Sequence, residues 1–524
     1  MIDVLVVGAG GAGLVAALHA KEAGASVKVV TKTYPTRSQT CMAQGGINAA
    51  LSNAGEDTIQ SHFENTLKSA HGIGDEKMIQ KLCTEAVDAL QWLDAIGVPF
   101  SRTEDGKIAQ RRLGGASAPR ACYAQDYTGL KILHTLYDQC NANDIDILVE
   151  HFLLDLLVED GRICGATVLD IQTGEVKNIY AKSVILATGG YSRIYGKNST
   201  NAVGSSGDGV AAAFRAGAKL SDMEFVQFHP TALKNSSILI SESARGEGGY
   251  LLNKNGERFT NELAPRDEVS RAIYDELQKD GEVYIDIRHL GEEFIEHNLP
   301  QERKLAKQYE GVDPVFDLVP IKPAAHYTMG GIDVDENSQS SLHGLFAVGE
   351  CANQKVHGAN RLGGNSLLEL IVFGRQAGIN AAKNSLQNSL TCKEFSSQDL
   401  GQYIKPECKR DFYVKKDELC EEFYMHVGIK RDEKELQNLK EKLLALKNSF
   451  AEFGVRDSSK TYNTELVDFL EFKNMTELCE AVLEGALKRA ESRGAHYRID
   501  APAENNQFSK SILFYKDGAK LCLA

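Results

Sequence analysis

The chain has 524 residues, 43% of them hydrophobic and 25% charged, which fits a folded protein with a sizeable core and room for about three domains. Acidic residues exceed basic ones, 72 to 58, for a formal charge of -14; this excludes broad nucleic-acid binding, but not a small anion held by local arginines. No apolar run reaches membrane-spanning length, and the N-terminus lacks the basic region of a signal peptide.

Val4 to Val7 is a short apolar run suited to a buried parallel strand. Gly8-Ala-Gly10-Gly-Ala-Gly13 follows, and then an alanine-rich stretch, Leu14 to Ala23, predicts a helix stopped at Gly24. Ser26 to Val30 reads as a second strand. Two more apolar strands end in glycines, Val184 to Gly190 and Gly344 to Gly349. Strands of this kind, spread over two-thirds of the chain, predict one nucleotide-binding domain interrupted by an insertion, with Met223 to Pro323 as the candidate. Leu436, Leu439, Leu443, Leu446 and Phe450 share one helical face, and Leu466, Leu470, Leu478, Val482 and Ala486 suggest another long helix. About Ser396 to Arg493 is therefore expected to be helical, and the last residues show no clear period. Eleven cysteines without a CxxC pair predict reduced thiols in a cytosolic compartment. They offer no set of usual spacing for an iron–sulfur cluster, and no metal site is read in the chain. Cys41 reads as a small packing residue.

The glycine-rich turn between a strand and a helix is a dinucleotide fingerprint. Its glycines let the backbone approach a pyrophosphate at a helix N-terminus. The ribose-binding acid expected about 20 residues on is absent, because Thr31-Lys32 end the second strand. That favours FAD over NAD. Arg37-Ser38-Gln39-Thr40-Cys-Met-Ala-Gln44-Gly45-Gly46 suits backbone contact with a flat ring and reads equally as a surface loop. His229, Glu242, Arg245 and Arg266 form a polar series in which an isolated Glu242–Arg245 pair would be a surface ion pair. His326, alone before a glycine pair, reads as structural. Arg361, flanked by glycines and followed by an apolar helix, is an anion-binding arrangement.

The ordered motifs GAGGAG, RSQTCMAQGGI, FHPT, ESARGEGGYLLNKNGERF, LAPRDEVSRA, HYTMGGI, VGECANQKVHGANRLGGNSLLEL and ESRGAHYRID carry a resemblance over nearly the whole chain. It resembles the flavoprotein subunits of the succinate dehydrogenase and fumarate reductase family, which includes L-aspartate oxidase. The resemblance implies an α/β Rossmann-like FAD-binding domain with an inserted α+β capping domain and a C-terminal helical domain. Their expected bounds are 1–222 and 326–395 for FAD binding, 223–325 for the cap, 396–495 for the helical domain and 496–524 for a tail.

The same resemblance implies interconversion of fumarate and succinate, with hydride transfer at FAD N5 and proton transfer by Arg266. His229, Ser241, His326 and Arg361 match positions that hold the two substrate carboxylates. Glu242 and Arg245 match a relay that returns protons to Arg266, which turns the surface-pair reading around. A guanidinium can act as an acid only where carbanion character develops and a relay restores its proton at once. Gly8, Gly10, Gly13, Thr31, Lys32, Ser38, Thr40, Gln44, Gly45, Gly46, Asp208, Glu350, Ser366 and Leu367 match FAD-contacting positions, with Asp208 and Glu350 as hydroxyl-binding acids.

Most succinate dehydrogenase flavoproteins carry a flavin-linking histidine where this chain has Gln39. Noncovalent FAD, a lower flavin potential and a bias toward fumarate reduction are therefore expected. L-aspartate oxidase also lacks that histidine and stands as the alternative, but RLGGNS matches the dehydrogenase and reductase side. The complete set of His229, Arg266, His326 and Arg361 argues against a catalytically silent scaffold. A separate iron–sulfur subunit and a membrane-anchor subunit are implied. They would hold a cytoplasmic chain at the inner face of the membrane.

Overall fold

The computed structural model describes residues 2–388, 392–518 and 520–523. Ile2–Val7 pairs in parallel with Val27–Val30 on one side and with Val176–Leu186 on the other, so that Val6 lies opposite both Val29 and Ile185. Asp146–Leu148 extends this sheet beyond Val27–Val30, and Leu345–Ala347 extends it beyond Val176–Leu186. The first half of Val176–Leu186 instead closes an antiparallel meander with Arg162–Asp170 and His151–Glu159. The glycine-ended strands expected from the sequence thus meet in one sheet.

Alternation explains why those strands are apolar throughout. Leu5 and Val7 belong to one core cluster, while Val4 and Val6 belong to another on the opposite face. Helices Gly11–Glu22 and Asn365–Gln387 cover one face and pack closely, because a side chain at Gly378 would lie 2.3 Å from Ala16 O. Asp208–Arg215 and Thr464–Lys488 cover the other. The first helix begins at Gly11, three residues before the expected start, because its first turn is part of the glycine loop.

Between the second and third glycine-ended strands, Val226–Leu233, Val319–Thr328, Val283–Asp286 and Tyr250–Asn253 form a separate antiparallel sheet. It has its own core, from Leu233 and Ile240 to Val319 and Ile321. Later in the chain come helices Phe412–His426, Glu433–Ser449 and Thr464–Lys488. Leu436, Leu439 and Leu443 are buried as the period requires, and Leu446 and Phe450 are partly buried. The tail is not periodless: Leu513–Asp517 and Lys520–Leu523 form a hairpin added to Leu220–Ser221. Ala519 and Ala524, in that expected tail, lie outside the described residues.

The expectation of reduced thiols alone is corrected. Cys164 and Cys392 form a disulfide across 228 residues of chain. Local spacing carries no trace of such a pair, because the meander and the segment after the long helix bring the cysteines together. Among the described residues, no helix is long and apolar enough to cross a membrane.

Candidate active site

One cavity of about 250 Å³ is lined at one end by the glycine turn and at the other by histidines and arginines. Every residue singled out for cofactor, substrate or proton lines it, except Gly13 and Arg245. Gly13 stands behind the turn. A side chain there would lie 1.9 Å from Gly8 O. Gly8 has φ +108°, and a side chain on it would meet Ala187 O at 2.2 Å. Gly10 lines the cavity, and a side chain on it would only touch Thr40 and Ser38 at 3.5–3.7 Å. Thr40 Oγ1 fixes the turn by accepting from Gly11 N at 3.0 Å.

The cavity walls fit FAD on the chain's own terms. Ser38 Oγ and both amide atoms of Gln44 are buried and make no hydrogen bond among the described residues. Such groups require a partner, and these line the cavity. Ser366 and Leu367 sit in the first turn of Asn365–Gln387, whose N-terminus faces the same space. Gly364, with φ +83°, starts that helix against Asn48. Glu350 accepts from Thr328 N at 3.0 Å, and burial pushes its carboxyl up to about 7.

Lys32 and Asp208, expected separately, are partners at 2.5 Å. Lys32 also pairs with Glu471 at 2.6 Å and donates to Gly204 O. Burial opposes the Lys32 charge, but these two carboxylates outweigh it and raise its pKa. Asp208 further accepts from Ser206 Oγ and Asn474 Nδ2, so most of its lone pairs are engaged. Thr31 Oγ1 donates to Thr33 O. Glu471 and Asn474 escaped the sequence reading. With Thr476 they are the buried polar residues of a helix whose other buried residues are apolar or glycine, a distinction that only the packing reveals.

At the opposite end Arg266 opens helix Arg266–Asp280, directly after Pro265. Its Nε and Nη2 donate to Glu242 Oε2 at 3.0 and 2.5 Å, and Nη1 donates to Gln227 Oε1 at 3.1 Å. Gln227 also escaped the sequence reading, although it precedes His229 by two residues on the same strand. Glu242 Oε1 accepts from Gly114 N at 2.9 Å and lies 3.6 Å from Arg245 Nη2. Side chains at Gly114 and Gly363 would lie 2.4 and 2.5 Å from the Glu242 carboxylate, so glycine lets both loops close on it. Burial alone would raise the Glu242 carboxyl, yet Arg266 and Arg245 hold it below its ordinary range. Arg245 lies behind Glu242 and donates to Glu262 O at 2.5 Å.

The His229 and His326 rings lie 4.9 Å apart. His229 Nδ1 accepts from Thr231 N at 3.3 Å, which leaves Nε2 as the ring's donor. Burial first, and Arg266 second, hold both imidazoles well below their usual pKa, hence neutral. Ser241 caps the short helix Glu242–Gly246 by accepting from Ser243 N. Arg361 is 3% exposed, yet its guanidinium makes no ion pair or hydrogen bond among the described residues and only stacks on Tyr327 at 4.3 Å. Burial and the charge of Arg266 lower its pKa to about 10, which leaves it charged at neutral pH. Gln39 Oε1 accepts from Ala202 N at 2.7 Å, and its side chain lines the cavity.

Fold and site define a flavoprotein: residues 3–367 match the FAD binding domain family, and residues 416–522 match the fumarate reductase flavoprotein C-term family. The succinate dehydrogenase flavoprotein subunit of Rickettsia felis is 40% identical over 96% of this chain and 91% of its own length. The 8-methylmenaquinol:fumarate reductase flavoprotein subunit of Wolinella succinogenes is also 40% identical, over 95% of this chain and 86% of its own. A solved mutant E. coli quinol fumarate reductase FrdA superposes with TM-score 0.94 at 35% identity, covering 100% of this chain and 96% of that one. The chain belongs to the succinate dehydrogenase and fumarate reductase flavoprotein family. These similarities do not favour the L-aspartate oxidase alternative.

Proposed function

We propose that this protein is the flavoprotein subunit of a fumarate reductase/succinate dehydrogenase complex, biased toward fumarate reduction. The observation that carries the reading is the uncompensated Arg361. A buried, unpaired guanidinium is costly, by several kcal/mol per ion, unless an anion joins it. Among the described residues Arg245 and Arg266 share the ion-paired carboxylate Glu242 and Arg361 has no ion pair, with Glu350 and Glu262 acting on Arg361 and Arg245 from farther off, while the histidines stay neutral. The positive charge left over at this end suits an anionic substrate such as a dicarboxylate.

Bound in the glycine cradle, FAD would supply hydride donation and acceptance. The chain's own residues do the rest. Arg361 holds one carboxylate with its planar fork, and His229 Nε2, His326 and Ser241 hold the other. Arg266 gives a proton to the carbon on which negative charge develops, and Glu242, in contact with it, restores that proton. Arg245 and the Glu262 carbonyl continue the chain of contacts outward. Residues 223–325, with their own core, act as the cap, between the FAD-binding segments 1–222 and 326–395.

The amide of Gln39 offers no ring nitrogen for a flavin bond, so FAD is held noncovalently. After acid precipitation the yellow colour is expected in the supernatant; colour in the pellet would overturn this. The chain has no cysteine set for a cluster. Electrons therefore reach the flavin from an iron–sulfur subunit, and a membrane-anchor subunit places the complex at the cytoplasmic face of the membrane. Titration calorimetry of the holoprotein tests the pocket. Fumarate and succinate should bind, and butyrate, lacking the second carboxylate, should bind at least about tenfold more weakly. Equal binding of butyrate would contradict the assignment.

A further inference from the structure

Behind Ser241, away from the proton relay, lies a second pair of buried acids. Glu302 sits in helix Pro300–Tyr309 of the inserted region, and Asp126 precedes helix Thr128–Ala142 on the flavin side. Glu302 is 1% exposed and Asp126 fully buried. Asp126 Oδ2 accepts from Gln301 N at 2.7 Å and Glu302 N at 3.2 Å. It therefore caps the helix that carries Glu302 and joins the two regions. Glu302 Oε1 in turn accepts from Ser241 N at 3.0 Å, which sets this carboxylate beside the Ser241 hydroxyl. Glu302 Oε2 and Asp126 Oδ1 have no hydrogen-bond partner among the described residues.

We propose that Asp126 and Glu302 share one proton, held on Glu302, and that this neutral Glu302 is a positioning residue that frees the Ser241 hydroxyl to bind the substrate carboxylate. The inference rests on the dicarboxylate reading of the pocket. The Asp126 carboxylate sits on the backbone N–H of Glu302 itself, and two like charges placed on neighbouring groups in so dry a setting do not both ionise. The two helix N–H groups favour the charge on Asp126, so the proton goes to Glu302. The Ser241 oxygen is already engaged as acceptor by Ser243 N. It also lies against Ser243 Oγ, which can donate to it as well as accept, so with Ser243 Oγ as the donor the one Ser241 hydrogen can go to Glu302 or into the cavity. An ionised Glu302 captures that hydrogen and sets a negative charge beside the incoming carboxylate; a protonated one does neither.

The other groups around the pair agree with this assignment. Arg111, on Gln110–Arg111, is the cation facing both acids, but it stacks on Tyr123 and is shared with Glu247 at 3.5 Å. Tyr127 adjoins the pair without supplying a positive charge. On its own helix, Arg303 is taken by Asp313, Glu292 and Glu296. Burial, with Asp126 second, pushes the Glu302 carboxyl up to about 8, and burial raises Asp126 as well.

The test is the pH profile of fumarate reduction by the holoprotein, separated into kcat and KM. Above the Glu302 transition, the wild-type KM should rise by up to about tenfold per pH unit, as the binding-competent fraction falls. Glu302→Gln keeps an acceptor for Ser241 N and cannot ionise. Its KM should stay flat over the same range while its kcat profile follows the wild type. Asp126→Asn still caps the helix but removes the charge that holds the proton on Glu302. Its KM rise should begin at lower pH, an effect that a merely structural role would not produce. A wild-type KM that is flat with pH, or a Glu302→Gln variant that keeps the rise, would overturn the inference with the dicarboxylate reading intact. Absence of any fumarate turnover by the wild type would instead overturn that reading, and the inference with it.

Discussion

At the nucleotide end of the cavity Lys32 is ion-paired with two carboxylates, Asp208 and Glu471; at the far end Arg361 has no ion pair among the described residues. The first arrangement is complete within the chain. It ties the second strand, the Asp208–Arg215 helix and the C-terminal helix together around the cradle. The second, on the proposed reading, is completed by the substrate's carboxylate. Buried charge is structural where it is balanced and marks a binding site where it is left over.

The sharpest way to separate the two ends is activity. Arg266→Gln should reduce fumarate turnover by about 10²–10⁴-fold, the range for a positioned acid, while flavin content stays unchanged. Flavin absorbance and turnover measured on one sample check this, and a parallel loss of flavin would blur the division of labour. Next in size is Lys32→Met, which strands Asp208 and Glu471 and should lower unfolding free energy by about 3–5 kcal/mol in urea titration. Turnover per bound flavin should not change.

Arg361→Met carries the opposite sign. Substrate KM should rise about 10–100-fold, from loss of charge-assisted bonds worth about 1.5–3 kcal/mol, while the ligand-free chain becomes more stable. If both substitutions destabilise the chain, the contrast between balanced and surplus charge is wrong.

The smallest effect concerns the histidines. The folded pKa values of His229 and His326 lie below the ordinary 6.5, so the unfolded chain binds more protons as the medium is acidified. Their contribution to stability is complete above about 6.5 and is lost as pH falls through the folded values. The urea midpoint of the wild type should fall more steeply between pH 7 and 5 than that of a His229→Gln, His326→Gln variant.

Much of the cradle was legible because its signals are local. Gly8, Gly10 and Gly13 sit between a strand and a helix, and Gly8 and Gly13 each have a steric task that follows from their place in the turn. The far end was less legible from residues alone. Nothing in the spacing of Glu242, Arg266 and Arg361 says that three separate segments converge: unaided reading left Glu242 and Arg245 as a surface pair and Arg361 as an anion-binding arrangement apart from them. What drew them together was the family resemblance. Glu471 and Gln227 went unread because their partners lie 439 and 39 residues away. The Cys164–Cys392 bridge failed for the same reason. Glu302 and Asp126 carried no motif at all, and only the packing of the inserted region against the flavin side brings them behind Ser241.

The most direct measurement is an anaerobic titration of the purified protein, followed at the flavin absorbance. Chemically reduced protein mixed with fumarate should reoxidise promptly, and oxidised protein mixed with L-aspartate should not bleach. Bleaching by L-aspartate, with no reoxidation by fumarate, would show an amino-acid oxidase and contradict the account.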